Sequence, residues 1–211
     1  MRADHAALAR AWQAQSLLLG YPDDQLLDRI DLLDDVAGTL AAPIGEPLRR
    51  FVTHLRATSP AELTSDYVAT FDHRKRCCLF LTYYAHGDTR RRGMALLTLK
   101  QTYAAAGLNL VDDELPDHLS VVLEYAAALP AEGHALLLEQ RAGLELLRLA
   151  LRDAHSPWAD VLESVSATLP PLIGDERQAV AKLAAQGPPA EQVGLAPFAP
   201  PEFMPQQGAL R

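Results

Sequence analysis

Two acid–histidine doublets, Asp72-His73 and Asp117-His118, are the residues whose types could carry acid–base or metal chemistry. Neighbours on a helix point about 100° apart, so neither doublet closes on one ion or one proton by itself. A helical metal site needs ligands at i and i+4, or from several helices, and the spacing His-x-x-x-His does not occur. A helical metal-dependent hydrolase would carry His followed by Asp with further ligands elsewhere. Here the order is reversed, and a hydrolase built on the Asp-His pairs stands only as an alternative. Arg90-Arg91-Arg92 follow the turn Gly87-Asp88-Thr89. A helix start there could hold an anion, which gives a second alternative, a nucleotide-binding regulatory module. The Gly-Lys-Ser/Thr ending of a phosphate loop is missing. Cysteines 77 and 78 are adjacent, poorly placed to bridge each other, and too few for a zinc site. They read as small buried or half-buried thiols of a reducing compartment. No Gly-x-Ser-x-Gly or other nucleophile constellation is present.

The elements that would position these groups are all helical. Leu8, Trp12, Gln15 and Leu19 share one face, and Gly20 and Pro22 stop that helix. Asp23 or Asp24 is placed to cap the next, whose stripe is Leu26, Leu27, Ile30 and Leu33. Leu48, Phe51, Val52 and Leu55 repeat at i, i+3, i+4, i+7. Ser59-Pro60-Ala61-Glu62 combines an N-cap, a proline at N1 and a capping box, and opens a helix running through Tyr67 to Phe71. The run Leu79 to Tyr84 is rich in residues that suit strands. It is read as helix, because no partner strand is visible and a lone strand leaves its edges unpaired. Asp88 is expected to cap a helix that ends at Gly107 as a C′ glycine. Pro116-Asp117 should open another, closed by Pro130. A long helix is expected over Glu132 to Asp153, then one after Pro157 and a last one over Asp175 to Ala185. From Gln186 the prolines preclude helix. The expectation is an all-α, single-domain bundle of about nine to ten helices over residues 1–186, with a Pro-rich extended or disordered tail over 187–211.

Composition narrows the function. The chain has 211 residues, 49% of them apolar, and a net charge of −8. That balance argues against a general nucleic-acid binder, whose affinity rests on cations at phosphates. It suits a basic partner such as a positively charged leader peptide, though plain solubility explains it as well. No apolar window is long enough for a membrane span, and the N-terminus lacks a secretory signal. The expected compartment is the cytoplasm.

The stretch Tyr67 to Ala106 concentrates aromatic, basic and acidic side chains around two turns. Within it, Leu81-Thr82-Tyr83-Tyr84, Gly87-Asp88-Thr89-Arg90 and Arg92-Gly93 resemble the signature of the nitrate reductase assembly chaperones, the NarJ branch of the TorD-like family. Leu17-Leu18-Leu19-Gly20-Tyr21-Pro22-Asp23 is similar to the same family, as are Glu114-Leu115-Pro116-Asp117-His118-Leu119 and Leu123-Glu124-Tyr125. The resemblance spans roughly residues 8 to 185. Phe80 and His86 stand where the family commonly has Tyr.

The resemblance implies a non-enzymatic chaperone without a cofactor. It would bind the N-terminal, leader-like segment of the nitrate reductase catalytic (alpha) subunit and keep that subunit competent for molybdenum cofactor insertion and membrane assembly. The mode expected is helix-in-groove recognition. Asp72, Asp88, Asp117 and Glu124 would meet the peptide's charges, and the resemblance puts Asp117 and His118 near the working face. For Asp117, helix capping is an equal reading. Tyr67, Phe71 and Tyr84 are core by default or rim contacts for an apolar peptide. Arg91 would orient the partner's backbone or an acidic group, unless the cluster at 90–92 serves only intramolecular ion pairs. No catalytic residue, metal, nucleic acid or stable membrane insertion is expected, and the chain should be a monomer or weak homo-oligomer.

Overall fold

Helix α1 (Arg2–Leu18) carries a face that is buried on more than one side. Ala11, Trp12, Leu18 and Leu19 pack inward, and so does Gln15, a polar residue that needs a partner once desolvated. Gln15 Nε2 donates to Ser164 Oγ at 2.8 Å, and Ser164 Oγ in turn donates to the Ile44 carbonyl at 2.7 Å. Trp12 Nε1 donates to Thr168 Oγ1 at 3.0 Å. These bonds satisfy the Gln15 and Trp12 donors and fix the register of α1 against α11, while Gln15 Oε1 has no partner among the described residues.

The computed structural model describes residues 2–110 and 114–174, together with 178 and 180–182. The chain continues from α1 through α2 (Asp24–Leu27), α3 (Ile30–Thr39), α4 (Ala42–Ala57) and α5 (Pro60–Phe71). A 3₁₀ turn over Lys75–Cys77 leads into α6 (Leu81–His86), then α7 (Arg90–Ala105), α8 (Leu119–Ala128), α9 (Pro130–Glu139), α10 (Arg141–Asp153) and α11 (Ala159–Ala167). Among the described residues there is no strand, and nine of these helices have seven residues or more. The fold is an all-α single domain. α1 lies along α8, with α11, α3 and α9 also against it; α4 packs on α3 and α11, and α10 on α6 and α11. Trp158 is the aromatic centre, with the rings of Phe51, Tyr67 and Phe71 at 5.6, 5.7 and 5.5 Å. No described helix is long and apolar enough to cross a membrane.

Several local expectations hold. Asp23 caps α2 by accepting from the Leu26 N–H at 2.9 Å, and Ser59 and Glu62 form the reciprocal capping box of α5. Gly107 sits at φ +79 just past α7, a left-handed position that glycine fills without strain.

Others are corrected. Asp88 does not cap α7; the N-cap is Thr89, whose hydroxyl donates back to the His86 carbonyl. Helix α8 starts at Leu119 rather than at Pro116-Asp117, with His118 as its N-cap. The run Leu79 to Tyr84 is helical only from Leu81. Before that, Leu79 lies in a bend and Phe80 is extended, forming a single antiparallel bridge with His118. The Leu81 N–H donates to the Asp117 carbonyl at 3.0 Å and the Leu119 N–H to the Leu79 carbonyl at 2.8 Å, so the partner invisible in sequence is the other turn.

The single helix expected over Glu132 to Asp153 is two, divided at Gln140. Its two halves make close approaches to different partners. A methyl at Gly133 in α9 would meet Ala126 of α8 at 2.1 Å, and one at Gly143 in α10 would meet the Leu81 carbonyl at 2.8 Å. One straight rod cannot serve both contacts. Of the expected last helix, residues 178 and 180–182 are described and helical. The rest of it, and the Pro-rich segment 187–211, lie outside the described residues.

Candidate functional site

The bridge between Phe80 and His118 forms one wall of a cleft of about 660 Å³. The end of α1 supplies Ser16 and Leu17, and the turn after it Gly20 and Tyr21. Asp23, Gln25, Leu26 and Arg29 follow from the α2 region, and Tyr67 comes from α5. The far side is Glu114, Leu115 and His118, then Ser120, Val121 and Glu124 at the start of α8.

The lining mixes apolar and polar side chains in nearly equal measure, and its aromatic members are held in place by named contacts. Tyr67 donates its hydroxyl to the Leu19 carbonyl at 3.1 Å, which ties α5 to the end of α1, and burial pushes its pKa up to about 12. Tyr21 stands edge-on to that ring at 5.4 Å and is itself exposed. Phe80 stands edge-on to the His118 imidazole at 5.4 Å, and the Arg92 guanidinium lies over the Phe80 ring at 5.5 Å from its centre. His118 Nδ1 accepts from the Ser120 N–H at 3.3 Å. Burial holds the imidazole below its ordinary pKa of 6.5, against the opposing pull of Asp117.

The rim carries charge. Asp23, Glu114 and Glu124 face Arg29 as the one cation among the described lining residues, so the field is negative. Glu124 accepts from Ser16 Oγ at 3.3 Å. Partial desolvation raises its carboxyl above the ordinary 4.5; the Ser16 hydrogen bond opposes this, and Glu114 adds to it.

Of the nine residues expected to touch a peptide, Tyr67, His118 and Glu124 come together on this cleft. Phe71 lies behind Tyr67 in the core, with ring centres 4.8 Å apart. Tyr84 is also buried, and its hydroxyl donates to the carbonyls of Arg76 and Cys78 at 2.9 and 3.0 Å. Asp72 is the exposed C-cap of α5, Asp88 is exposed and pairs with Arg92 at 3.2 Å, and Arg91 is exposed on α7. Asp117 has no exposed surface. Its Oδ2 accepts from the backbone N–H and the hydroxyl of Thr82, and Arg92 approaches it at 3.6 Å. Asp117 is thus a helix cap, but for α6 rather than α8.

Sequence reasoning left out every other lining residue, among them Ser16, Leu17, Tyr21, Phe80, Leu115 and Val121 and the charged Asp23, Arg29 and Glu114. The signal was present in part, because Leu17, Tyr21 and Leu115 fall inside the segments that carry the family resemblance. Their convergence was not readable.

The two acid–histidine doublets cannot act as units. Asp117 points to Thr82 while His118 faces the cleft, and Asp72 and His73 are exposed together at the end of α5. Among the described residues no three His, Cys, Asp or Glu side chains are grouped to hold a metal ion. Burial pushes both cysteine thiols up, away from the reactive thiolate.

Residues 37–163 match the family described as nitrate reductase delta subunit. The chain is 37% identical over 158 residues to the nitrate reductase-like protein NarX of Mycobacterium tuberculosis, a match covering 74% of this chain and 24% of that protein. It is 34% identical to NarJ of Bacillus subtilis, named a nitrate reductase molybdenum cofactor assembly chaperone, over 75% of this chain and 87% of NarJ. Against the Escherichia coli chaperone NarJ the identity is 33%, over 68% of this chain and 63% of that one. A solved Archaeoglobus fulgidus protein described as a redox enzyme maturation protein shares the fold, with a TM-score of 0.58 at 23% identity over 74% of this chain and 90% of that chain. The chain belongs to the nitrate reductase delta subunit family, and its Bacillus subtilis and Escherichia coli relatives are named as molybdenum cofactor assembly chaperones. It spans about a quarter of the length of NarX.

Proposed function

We propose that this chain is a cytoplasmic, system-specific chaperone for a respiratory nitrate reductase. It binds the N-terminal segment of the catalytic subunit, keeps that subunit competent for molybdenum cofactor insertion, and delays membrane attachment until loading is complete. One observation carries this reading. Three segments far apart in sequence, at Leu17–Asp23, Phe80 and Glu114–Glu124, meet on a single cleft, and each lies in or beside a stretch that carries the family resemblance.

The cleft suits an amphipathic, basic helix. Leu17, Leu26, Tyr21, Tyr67, Phe80, Leu115 and Val121 offer apolar and aromatic surface to its stripe, and Asp23, Glu114 and Glu124 meet its cations. A segment that orders on binding loses conformational entropy, which keeps affinity moderate and allows release after loading. His118 remains neutral near pH 7, so the cleft adds no cation against a basic ligand.

Calorimetric titration with a peptide of the catalytic subunit's N-terminal segment tests the proposal. Saturable binding is expected, and Glu114→Gln with Glu124→Gln should weaken it about tenfold and flatten its salt dependence. Binding that is indifferent to both changes would move the site, and no binding well above micromolar concentrations would end the proposal.

A further inference from the structure

Helix α7 leaves one face uncovered. Leu99 and Tyr103 turn inward, while Arg90, Met94, Leu97 and Gln101 recur at i, i+4, i+7 and i+11 along the opposite side, all exposed. Met94 is 64% exposed and Leu97 is 48% exposed, one turn apart on the same side of the helix. Arg91 flanks the stripe. Among the described residues neither Arg90 nor Arg91 pairs with a carboxylate, whereas Arg92, facing inward, has both Asp88 and Asp117. The stripe is therefore an apolar, cationic knob on a chain whose net charge is −8.

The surface that complements this knob is on the same molecule. The cleft offers apolar and aromatic side chains beside the carboxylates Glu114 and Glu124, which are close enough that Glu114 acts on the titration of Glu124. The two features are also neighbours, because Arg92 on the first turn of α7 lies over Phe80, a lining residue of the cleft. A knob and a complementary cleft on one chain allow a two-fold pair. Each copy places its knob in the other's cleft, and the assembly closes at two rather than growing.

We propose that the Arg90–Met94–Leu97 face of α7 docks in the cleft of a second copy of this chain, forming a reciprocal dimer that masks the cleft until a partner segment displaces it. The unbranched, polarizable Met94 side chain adapts to an irregular lining, and Arg90 and Arg91 meet Glu114 and Glu124. The masking role rests on the reading of the cleft as the partner's site; the self-docking does not.

Sedimentation equilibrium of the full chain over a wide concentration range, without peptide, tests this by charge exchange. Wild type should show a monomer–dimer equilibrium. Arg90→Glu with Arg91→Glu should weaken dimerisation at least about tenfold, and so should Glu114→Arg with Glu124→Arg, because each variant then opposes like charges at both contacts. Acidic residues at a helix N-terminus suit its dipole, so the first variant keeps its fold, and circular dichroism checks both. An equimolar mixture of the two variants restores attraction at both contacts and should dimerise as wild type does. A wild type that stays monomeric throughout, reversed variants that dimerise undiminished, or a mixture that fails to associate each overturns the proposal. Titrating the Arg90→Glu, Arg91→Glu variant with the catalytic-subunit peptide separates the two readings. Its cleft is intact, so binding at least as tight as wild type is expected. Dimerisation as described without any peptide binding would leave self-docking standing and remove the partner assignment.

Discussion

Asp117 and His118 are adjacent yet do different work, and the difference is one of burial. Asp117 has no exposed surface and holds the first turn of α6 through Thr82. Asp117→Asn should cost on the order of 2 kcal/mol by urea denaturation, because buried donors on Thr82 and Arg92 lose a charged acceptor. The side chain does not reach the cleft surface, so any loss of peptide affinity should come through the Phe80 wall that α6 carries. His118 and Glu124 set the pH response. The folded state holds His118 below 6.5, so as pH falls through 6.5 the unfolded chain takes up the proton first and His118 contributes a loss of stability down to its depressed folded value. Glu124 shifts the other way, above 4.5, and its contribution to stability is lost as pH rises through its folded value. On ligand binding the two act together, since charging His118 adds a repulsion and neutralising Glu124 removes an attraction for a basic peptide. Calorimetry between pH 7.5 and 5 should show affinity falling toward acid, once pH drops below the depressed value at which folded His118 takes up its proton. The variant His118→Gln should retain only the part due to the carboxylates.

At the scale of elements, α6 is a helix of six residues that cannot hold itself. It is held at its start by the Asp117 carboxylate and along its side by α10, where Gly143 lets the two backbones meet. Gly143→Ala drives a methyl into the Leu81 carbonyl and should cost about 1–3 kcal/mol, read as a lowered urea midpoint. The cleft wall at Phe80 is the residue before α6, so the same change should weaken peptide binding without touching the ligand. Gly133→Ala, packed on α8 at Ala126, gives a comparable loss of stability by a different contact.

At the scale of the molecule, stability is graded from the α1–α8–α11 centre outward. α1 and α8 are tied by dense apolar packing and by the Ser16 hydroxyl donating to the Ser120 carbonyl at 3.0 Å, while α7 buries only Leu99 and Tyr103. Amide hydrogen exchange should therefore find α7 opening well before α1 and α8. A bound peptide should slow exchange at the end of α1, the start of α8 and the Phe80 turn. The cleft thus lies against the densely packed part of the fold, and α7 beside it is the helix with the smaller buried face.

Periodicity, capping and turn chemistry are local, and they were legible in the sequence. The helical stripes, the capping box at Ser59 and Glu62, the Asp23 cap and the stop at Gly107 all follow from residues within two turns of one another. The family was legible too, through short motifs in order. Tertiary structure decided what those motifs do. Which side of the Asp117-His118 doublet turns inward depends on Thr82, and the break at Gln140 depends on two glycines packed against different helices. Tyr21, Phe80 and Val121 share a cleft only because α1, the α6 turn and α8 pack together. A side chain's neighbours along a helix are set by 3.6 residues per turn. Its neighbours across the bundle are set by how whole helices pack, and no local spacing encodes that.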